Sequence, residues 1–198
     1  MIDRYIHERM QKPLIFIALK IQKTQITPNQ VSLIGKFFGL IAMILIINSF
    51  FILALIFILI NRVFDGVDGA LARLTNKTTP YGAFFDIVCD YVIYAGVVLA
   101  FALNNLSNAL AASVLLFSFT ITGVSFLAKS ATSKKIDKAN TAYAKKGFFY
   151  HFGIAEGFET IVFLSLICFF PFYFNILSYA FSAICGITVV QRFLTYQE

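Results

Sequence analysis

Residues 65–73 read DGVDGALAR, and residues 82–90 read GAFFDIVCD. The two stretches lie where two strongly apolar runs meet, and together they carry four carboxylates: Asp65, Asp68, Asp86 and Asp90. Ionisable side chains within apolar membrane helices are costly, and they usually mark a functional site. We therefore take these aspartates as the centre around which the rest of the chain is organised.

The spacing of the aspartates predicts two facing pairs. Asp65 and Asp68 are three residues apart, and Asp86 and Asp90 are four apart, so each pair lies on one face of its own helix. If residues 74–81 form the turn of an antiparallel hairpin, Asp68 and Asp86 lie nearest the turn. Asp65 and Asp90 then lie about one helical turn deeper. The expected result is a square of carboxylate oxygens between two helices.

A square of carboxylates needs positive charge, because four buried acids repel one another and are expensive to desolvate. Carboxylates without His or Cys partners suit hard cations such as Mg²⁺ or Mn²⁺. Gly66, Gly69 and Ala72 leave the first helix almost bare, so a ligand can approach closely, and Arg73 adds a fixed cation. Metal and Arg together favour a phosphate ester as the ligand. Packing alone is a poor explanation for acids so costly to bury.

The pattern D-x2-D-G-x2-A-R-x8-G-x3-D-x3-D resembles the signature of the CDP-alcohol phosphotransferases. Eight positions match it without a gap: Asp65, Asp68, Gly69, Ala72, Arg73, Gly82, Asp86 and Asp90. The resemblance implies transfer of a substituted phosphate from a CDP-linked donor, in the first place CDP-diacylglycerol, to a hydroxyl acceptor with release of CMP. It also implies two divalent cations held by the four aspartates, Asp90 as the base near the acceptor, and a homodimer. The CDP donor is expected at Gly66, Gly69, Ala72, Arg73 and Gly82.

The composition indicates a polytopic membrane protein. Of the 198 residues, 59% are hydrophobic and only 13% are charged. The net charge of +6 does not indicate nucleic-acid binding, because the basic residues flank apolar segments instead of forming a stripe on a soluble domain. The three cysteines all fall inside apolar runs and are expected to be buried.

We predict an all-α membrane fold in two parts: an N-terminal amphipathic juxtamembrane segment over residues 1–26, and a six-helix domain over residues 27–198. The first membrane helix begins at Thr27-Pro28, with Gln30 at the capping-box position. The helices are expected over about 27–48, 50–73, 82–103, 109–129, 149–170 and 171–191.

Three features of the first two helices carry open alternatives. Gly35 and Gly39 form a GxxxG motif that could pack within the chain or against a partner subunit, and packing within the chain is favoured. Lys36 could extend its ammonium toward the membrane surface or reach the acidic site. Arg62, one turn before Asp65, is expected to pair with that carboxylate in preference to contacting substrate.

The charge distribution also predicts the orientation. With six spans and a cytosolic N-terminus, every Lys and Arg lies on the cytosolic side, so both termini and the aspartate site face the cytosol. In a bacterium the membrane would be the inner one. A carboxylate-lined cation transporter is the competing class, but the helices lack evident breaks and the acids lie toward one side of the membrane. A catalytically silent scaffold subunit is a third possibility.

The acceptor is the open question within the family. Lys129 and Lys134 could attract a phosphorylated acceptor, whereas Glu156 and Glu159 could bind an ammonium or hydroxyl groups or simply pair with basic side chains. The small size resembles that of the phosphatidylglycerophosphate synthases, so glycerol 3-phosphate is the first expectation. Inositol, inositol phosphate, serine and amino alcohols are the alternatives.

Overall fold

The computed structural model describes residues 13–132 and 153–196. Within these ranges the chain forms helices and turns and no strand, which confirms the all-α prediction for the described residues. We number the seven α-helices of residues 13–132 and 153–196 in chain order: α1 (Pro13–Gln22), α2 (Pro28–Ile47), α3 (Phe51–Leu74), α4 (Pro80–Asn104), α5 (Ala109–Thr132), α6 (Gly157–Phe169) and α7 (Phe174–Leu194). Short 3₁₀ turns over Leu106–Asn108 and Pro171–Tyr173 precede α5 and α7.

Four helices of the described ranges are long and apolar enough to cross a membrane: α2, α4, and α5 and α7 with their preceding 3₁₀ turns. A span needs roughly 20 apolar residues. Helix α3 has 24 residues but carries the charged residues Arg62, Asp65 and Asp68, and α6 has only 13 residues. The chain is therefore an integral membrane protein with four candidate spans in the described residues. Six spans and the amphipathic character of residues 1–26 stay predictions, and residues 1–12 lie outside the described ranges.

Two helix starts show how local sequence acts. At α2, Thr27 Oγ1 accepts a hydrogen bond from the Gln30 amide (3.4 Å), and Gln30 Oε1 accepts one from the Thr27 amide (2.8 Å), as the capping-box prediction requires. The helix predicted over residues 149–170, which corresponds to α6, begins later than predicted. Residues 153–156 are not helical and α6 begins at Gly157, because Glu156 forms the cap there; residues 149–152 lie outside the described ranges.

The chain divides into two compact units, residues 1–93 and 94–198. In the first unit, α1 packs into the core with α2 and α3 through a cluster of buried apolar side chains: Ala18, Val31, Val67, Ala70 and Leu71. Helix α2 also contacts α3 and the first part of α4 through its two motif glycines. A β-carbon on Gly35 would lie 2.7 Å from Phe64 Cβ, and one on Gly39 would overlap the Ile93 side chain. The GxxxG motif therefore packs within the chain, as predicted.

The second unit is held together by aromatic stacking and by the packing of α5 on α7. The rings of Phe101 and Phe174 stack with centroids 4.7 Å apart, and those of Phe163 and Phe181 stack at 4.4 Å. Offset aromatic pairs at these distances contribute beyond the area that they bury. The stacked rings fix the end of α4 and the middle of α6 against α7.

Candidate active site

Three of the four motif aspartates converge between α3 and α4. One carboxylate oxygen from each of Asp65, Asp68 and Asp86 lies within 4.8 Å of the other two. Ligands on opposite sides of a Mg²⁺ ion are roughly 4 Å apart, given metal–oxygen distances of about 2.1 Å. The three oxygens are thus spaced to bind one hard divalent cation with little movement.

Asp68 shows that the cluster fits a cation. Its side chain is buried, with 7% of the residue exposed, and its Oδ2 atom accepts no hydrogen bond from the described residues. A buried carboxylate oxygen without a donor is strongly destabilising. A metal ion bound at this atom would supply the missing partner, so the donor set and its burial both suit Mg²⁺ or Mn²⁺.

Asp90 lies beside this triad and is held by two basic side chains. Its Oδ1 atom accepts a hydrogen bond from Lys36 Nζ at 2.8 Å, and its Oδ2 atom accepts one from Arg62 Nη1 at 3.3 Å. Three aspartates of the predicted square thus form a triad, and the fourth, Asp90, pairs with two cations; metal binding by Asp90 stays a prediction. The physical reason is that Lys36, from a third helix, enters the cluster.

Lys36 contacts three of the aspartates. Its Nζ atom lies 2.8 Å from Asp65 Oδ1 and 2.8 Å from Asp90 Oδ1, and 3.7 Å from Asp86 Oδ1. Only 7% of the residue is exposed. Of the two alternatives for this lysine, the structure selects the acidic site. Arg62 also pairs with Asp65, which confirms the structural pair expected from the sequence.

The close approach of α2 and α3 places Lys36 in the cluster. Gly35, the neighbouring residue, lets the α2 backbone approach Phe64, and the buried Asn61 side chain donates from Nδ2 to the Gly35 carbonyl oxygen at 2.9 Å. A side-chain amide inside an apolar helix usually bonds to a neighbouring helix in this way. We did not predict a role for Asn61 from the sequence, although a side-chain amide within an apolar helix, directly before Arg62, indicates a hydrogen bond to a neighbouring helix.

A family model supplies the decisive comparison: the model for CDP-alcohol phosphatidyltransferases matches residues 25–191. The chain belongs to this family. Among its relatives, the inner membrane protein YnjF of Escherichia coli K12 is 41% identical over 194 residues, covering 97% of this chain and 93% of the relative. The archaetidylinositol phosphate synthase of Pyrococcus horikoshii is 34% identical over 101 residues, covering 51% of this chain and 54% of that one.

Solved structures share the fold of this CDP-alcohol phosphatidyltransferase. The phosphatidylinositol phosphate synthase PgsA1 of Mycobacterium tuberculosis, solved with CDP-DAG bound, matches with a TM-score of 0.74 over 92% of each chain. A second structure of that protein, in complex with manganese and citrate, also gives a TM-score of 0.74, over 92% of this chain and 88% of the other. The sequence identity is 19% in both, so the likeness shows the fold alone.

The small motif residues expected to bind the CDP donor have varied surroundings in this phosphatidyltransferase. A β-carbon on Gly66 would lie 2.8 Å from Leu14 Cδ1, so α1 covers that side of the helix. A β-carbon on Gly69 would lie 3.2 Å from Arg73 Nη1, which puts this glycine beside the guanidinium. The Gly82 amide donates to Thr79 Oγ1 at 3.0 Å at the start of α4. Donor binding at these residues and at the half-buried Ala72 stays a prediction.

Lys129, one of the residues expected to bind the acceptor, contacts the end of α7 in the second unit. Its Nζ atom donates to Arg192 O (3.3 Å), Thr195 O (3.0 Å) and Thr195 Oγ1 (2.9 Å). A cation at a helix C-terminus satisfies carbonyls that lack intrahelical partners. Lys129 therefore has a structural role at α7, and its role toward an acceptor stays a prediction. Lys134 lies outside the described residues.

Glu156 and Glu159 form a reciprocal cap at the start of α6. Glu156 Oε1 accepts from the Gly153 amide (2.6 Å), and Glu159 Oε2 accepts from the Glu156 amide (3.3 Å). These contacts give both carboxylates a structural function, since acidic groups stabilise the N-terminus of a helix. Acceptor binding by either residue stays a prediction.

The buried Arg192 was also absent from our sequence interpretation. Its Nη1 atom donates to Thr122 O at 2.6 Å and to Ser125 Oγ at 2.9 Å, which ties the end of α7 to the middle of α5. A guanidinium near the end of an apolar helix was the signal that could have identified it.

Proposed function

We propose that this enzyme moves the phosphatidyl group of CDP-diacylglycerol to a hydroxyl of a small polar acceptor and releases CMP. The observation that carries the proposal is the triad of Asp65, Asp68 and Asp86, whose oxygens converge within 4.8 Å on the family motif. Mg²⁺ or Mn²⁺ bound there supplies Lewis-acid stabilisation of the phosphoryl oxygens and of the CMP leaving group. The fold that it shares with PgsA1, a protein solved with CDP-DAG bound, supports the choice of donor.

In this proposal Asp90 takes the proton from the acceptor. The acceptor oxygen forms a bond to the phosphatidyl phosphorus as the bond from that phosphorus to the CMP oxygen breaks, and the hydroxyl proton passes to a carboxylate oxygen. Both oxygens of Asp90 already accept hydrogen bonds, and the 3.3 Å contact with Arg62 is longer than the 2.8 Å contact with Lys36. The acceptor hydroxyl therefore takes the place of Arg62 at Oδ2. Lys36 keeps the carboxylate oriented through Oδ1.

The donor lies along the motif face of α3 in this proposal. Arg73 provides positive charge for the diphosphate, and Gly69 and Ala72 leave room for the cytidine beside it. The site opens to the cytosol together with both termini, because six spans with that orientation keep every Lys and Arg on the cytosolic side. The enzyme acts as a homodimer, as the family resemblance implies.

Glycerol 3-phosphate is the first acceptor proposed, and an inositol phosphate is the alternative. The 34% identity to an archaetidylinositol phosphate synthase favours the alternative, whereas the small size of the chain led to the first choice. Both are phosphorylated polyols. A phosphorylated acceptor is consistent with the excess of basic residues that gives the chain its charge of +6.

An acceptor panel tests the function. Purified protein in detergent is given CDP-diacylglycerol, Mg²⁺ or Mn²⁺, and one acceptor at a time: glycerol 3-phosphate, inositol phosphate, inositol, serine or ethanolamine. CMP release above the rate without acceptor is expected with one phosphorylated acceptor and is expected to disappear in Asp68→Asn. The exposed Lys77→Met serves as the matched control and keeps the wild-type rate. Acceptor-independent release, or none with any acceptor, would refute the proposal.

A further inference from the structure

Helix α1 has two apolar sides, of which one packs within the first unit. Leu14, Ala18 and Ile21 are spaced at i, i+4 and i+7, and they belong to the apolar cluster that α1 shares with α2 and α3. The opposite side carries Phe16 and Leu19, with 60% and 44% of each residue exposed. This second side of α1 is thus exposed although it is apolar.

Two lysines complete this exposed surface, which we call the α1 patch: Phe16, Leu19, Lys20 and Lys23. Both lysines are exposed, and Lys20 Nζ lies 4.7 Å from the centre of the Phe16 ring. The sequence has no Asp or Glu between Glu8 and Asp65, so α1, the residues that follow it and α2 contribute only positive charge. The α1 patch therefore combines apolar and cationic side chains in one surface.

Neither bulk water nor the hydrocarbon core of a bilayer suits the α1 patch. Its apolar side chains gain nothing in water, and its lysines are costly to bury in hydrocarbon. The headgroup layer accommodates both, because Phe and Leu reach the acyl boundary while the ammonium groups stay among the phosphates. The position of α1 in the chain agrees with this environment, since residues 23–27 join it to α2, a candidate span that begins at Pro28.

We propose that the α1 patch docks on anionic phospholipid at the bilayer surface. Lys20 and Lys23 contact the lipid phosphates, and Phe16 and Leu19 insert at the acyl boundary. Charge complementarity selects an anionic lipid, because a zwitterionic headgroup brings an ammonium of its own that the two lysines repel, whereas the headgroup of phosphatidylglycerol is an unopposed negative charge.

The docking surface lies close to the motif. Leu14, on the packed side of α1, lies against Gly66, the residue that follows the motif carboxylate Asp65. Lipid bound to the α1 patch is therefore held beside the part of α3 that carries the motif. The proposed donor, CDP-diacylglycerol, is also an anionic lipid, so the same attraction concentrates it there. Only this last consequence rests on the proposed function.

A fluorescence measurement tests the docking directly, because the chain has no Trp and Phe16→Trp places a single fluorophore in the α1 patch. The variant is reconstituted into phosphatidylcholine vesicles in which a fixed share of the lipid is brominated phosphatidylglycerol or, in a parallel sample, brominated phosphatidylcholine. Bromine quenches tryptophan on contact, so the two quenching levels give the relative binding constant of the lipids. We expect a preference for phosphatidylglycerol of about fivefold or more, the gain of one Lys at an anionic surface. High salt should reduce it.

Leu19→Trp, at the other exposed apolar position, is a second reporter and should show the same preference. In either background, Lys20→Gln combined with Lys23→Gln should reduce the preference to near one. Lys20→Arg combined with Lys23→Arg should retain it, because the charge is kept.

Phe172→Trp is the matched control for position. Phe172 is 99% exposed in the 3₁₀ turn before α7, and the sequence has no Lys or Arg between Lys146 and Arg192. A tryptophan at this site should be quenched equally by the two brominated lipids. An equal preference for phosphatidylglycerol at Phe172→Trp and at Phe16→Trp would overturn the assignment to the α1 patch.

Three other outcomes would overturn the proposal. The first is equal quenching of both α1 reporters by the two lipids. The second is no quenching by either lipid, which would place the α1 patch against protein, such as a second copy of the chain. The third is a preference that survives the double Gln substitution. None of these measurements involves turnover, so CMP release by the same preparation tests the proposed function separately.

Discussion

Gly35→Ala is a sharp test of the packing that places Lys36. A β-carbon at this position would lie 2.7 Å from Phe64 Cβ and 3.5 Å from the Asn61 carbonyl oxygen. The first distance is far below van der Waals contact, and the facing atom is fixed to the α3 backbone, so rotation of a side chain cannot relieve the clash. The two helices must therefore move apart.

The expected loss can be worked out from two opposing terms. Forcing one extra carbon into a packed contact costs about 1–3 kcal/mol. Replacing Gly by Ala inside a helix returns about 1 kcal/mol through helix propensity. Because the clash here involves a rigid atom, we take the upper part of the first range, which leaves a net destabilisation of about 1–2 kcal/mol. For a chain of this size each kcal/mol shifts the melting midpoint by about 2–4 °C, so a decrease of roughly 2–8 °C is expected.

Thermal unfolding in detergent, followed by circular dichroism at 222 nm, measures this shift, since the chain has no Trp for intrinsic fluorescence. Gly186→Ala in α7 is the matched control, because a β-carbon there meets no atom within 4 Å and only the propensity gain remains. The control should melt at or above the wild-type midpoint. If Gly35→Ala melted there too, the close contact between α2 and α3 would be refuted.

Three other substitutions have expected outcomes. Asp68→Asn should weaken Mn²⁺ binding, measured by dialysis, by more than the roughly 10- to 100-fold seen for residues that contact only a metal ligand. The melting midpoint should stay the same or rise, because a buried charge is removed. Unchanged affinity would exclude Asp68 as a ligand. Asn61→Leu should lower the unfolding free energy by about 0.5–1.5 kcal/mol through the lost bond to Gly35, and unchanged stability would show that this bond contributes nothing. Lys129→Met should lower the free energy of unfolding by about 0.5–1.5 kcal/mol, because the hydrogen bonds to the exposed Thr195 at the end of α7 are lost; an unaltered midpoint in the same circular dichroism assay would contradict that structural role.

The features that the sequence predicted well are those set by neighbouring residues. The cap of Thr27 and Gln30 and the pairing of Arg62 with Asp65 depend on spacings of three residues, and both are confirmed. The hairpin turn is confirmed too, with α3 ending at Leu74 and α4 beginning at Pro80. In each case the geometry of one helix or one turn fixes the contact.

The features that the sequence did not predict depend on how one helix is rotated against another. Whether Lys36 points to the membrane surface or to the aspartates is decided by the approach of Gly35 to Phe64, a contact between residues far apart in the chain. Lys129 likewise meets the end of α7 more than sixty residues later. The reciprocal cap of Glu156 and Glu159 could have been predicted from their spacing of three residues. We did not predict it, because Glu is not among the preferred N-cap residues.

The contact of Leu14 with Gly66 has a consequence for how the protein is made. Helix α1 is synthesised before its partners on α3, which follow about fifty residues later, roughly 3–10 s afterwards at ordinary elongation rates. During this interval the apolar side of α1, including the fully buried Ala18, has no α3 on which to dock. Until α3 is synthesised, the apolar side of such a segment can be buried at the surface of the bilayer. An N-terminal tag that keeps α1 away from the bilayer surface would therefore impair insertion of the nascent chain, before the catalytic site has formed.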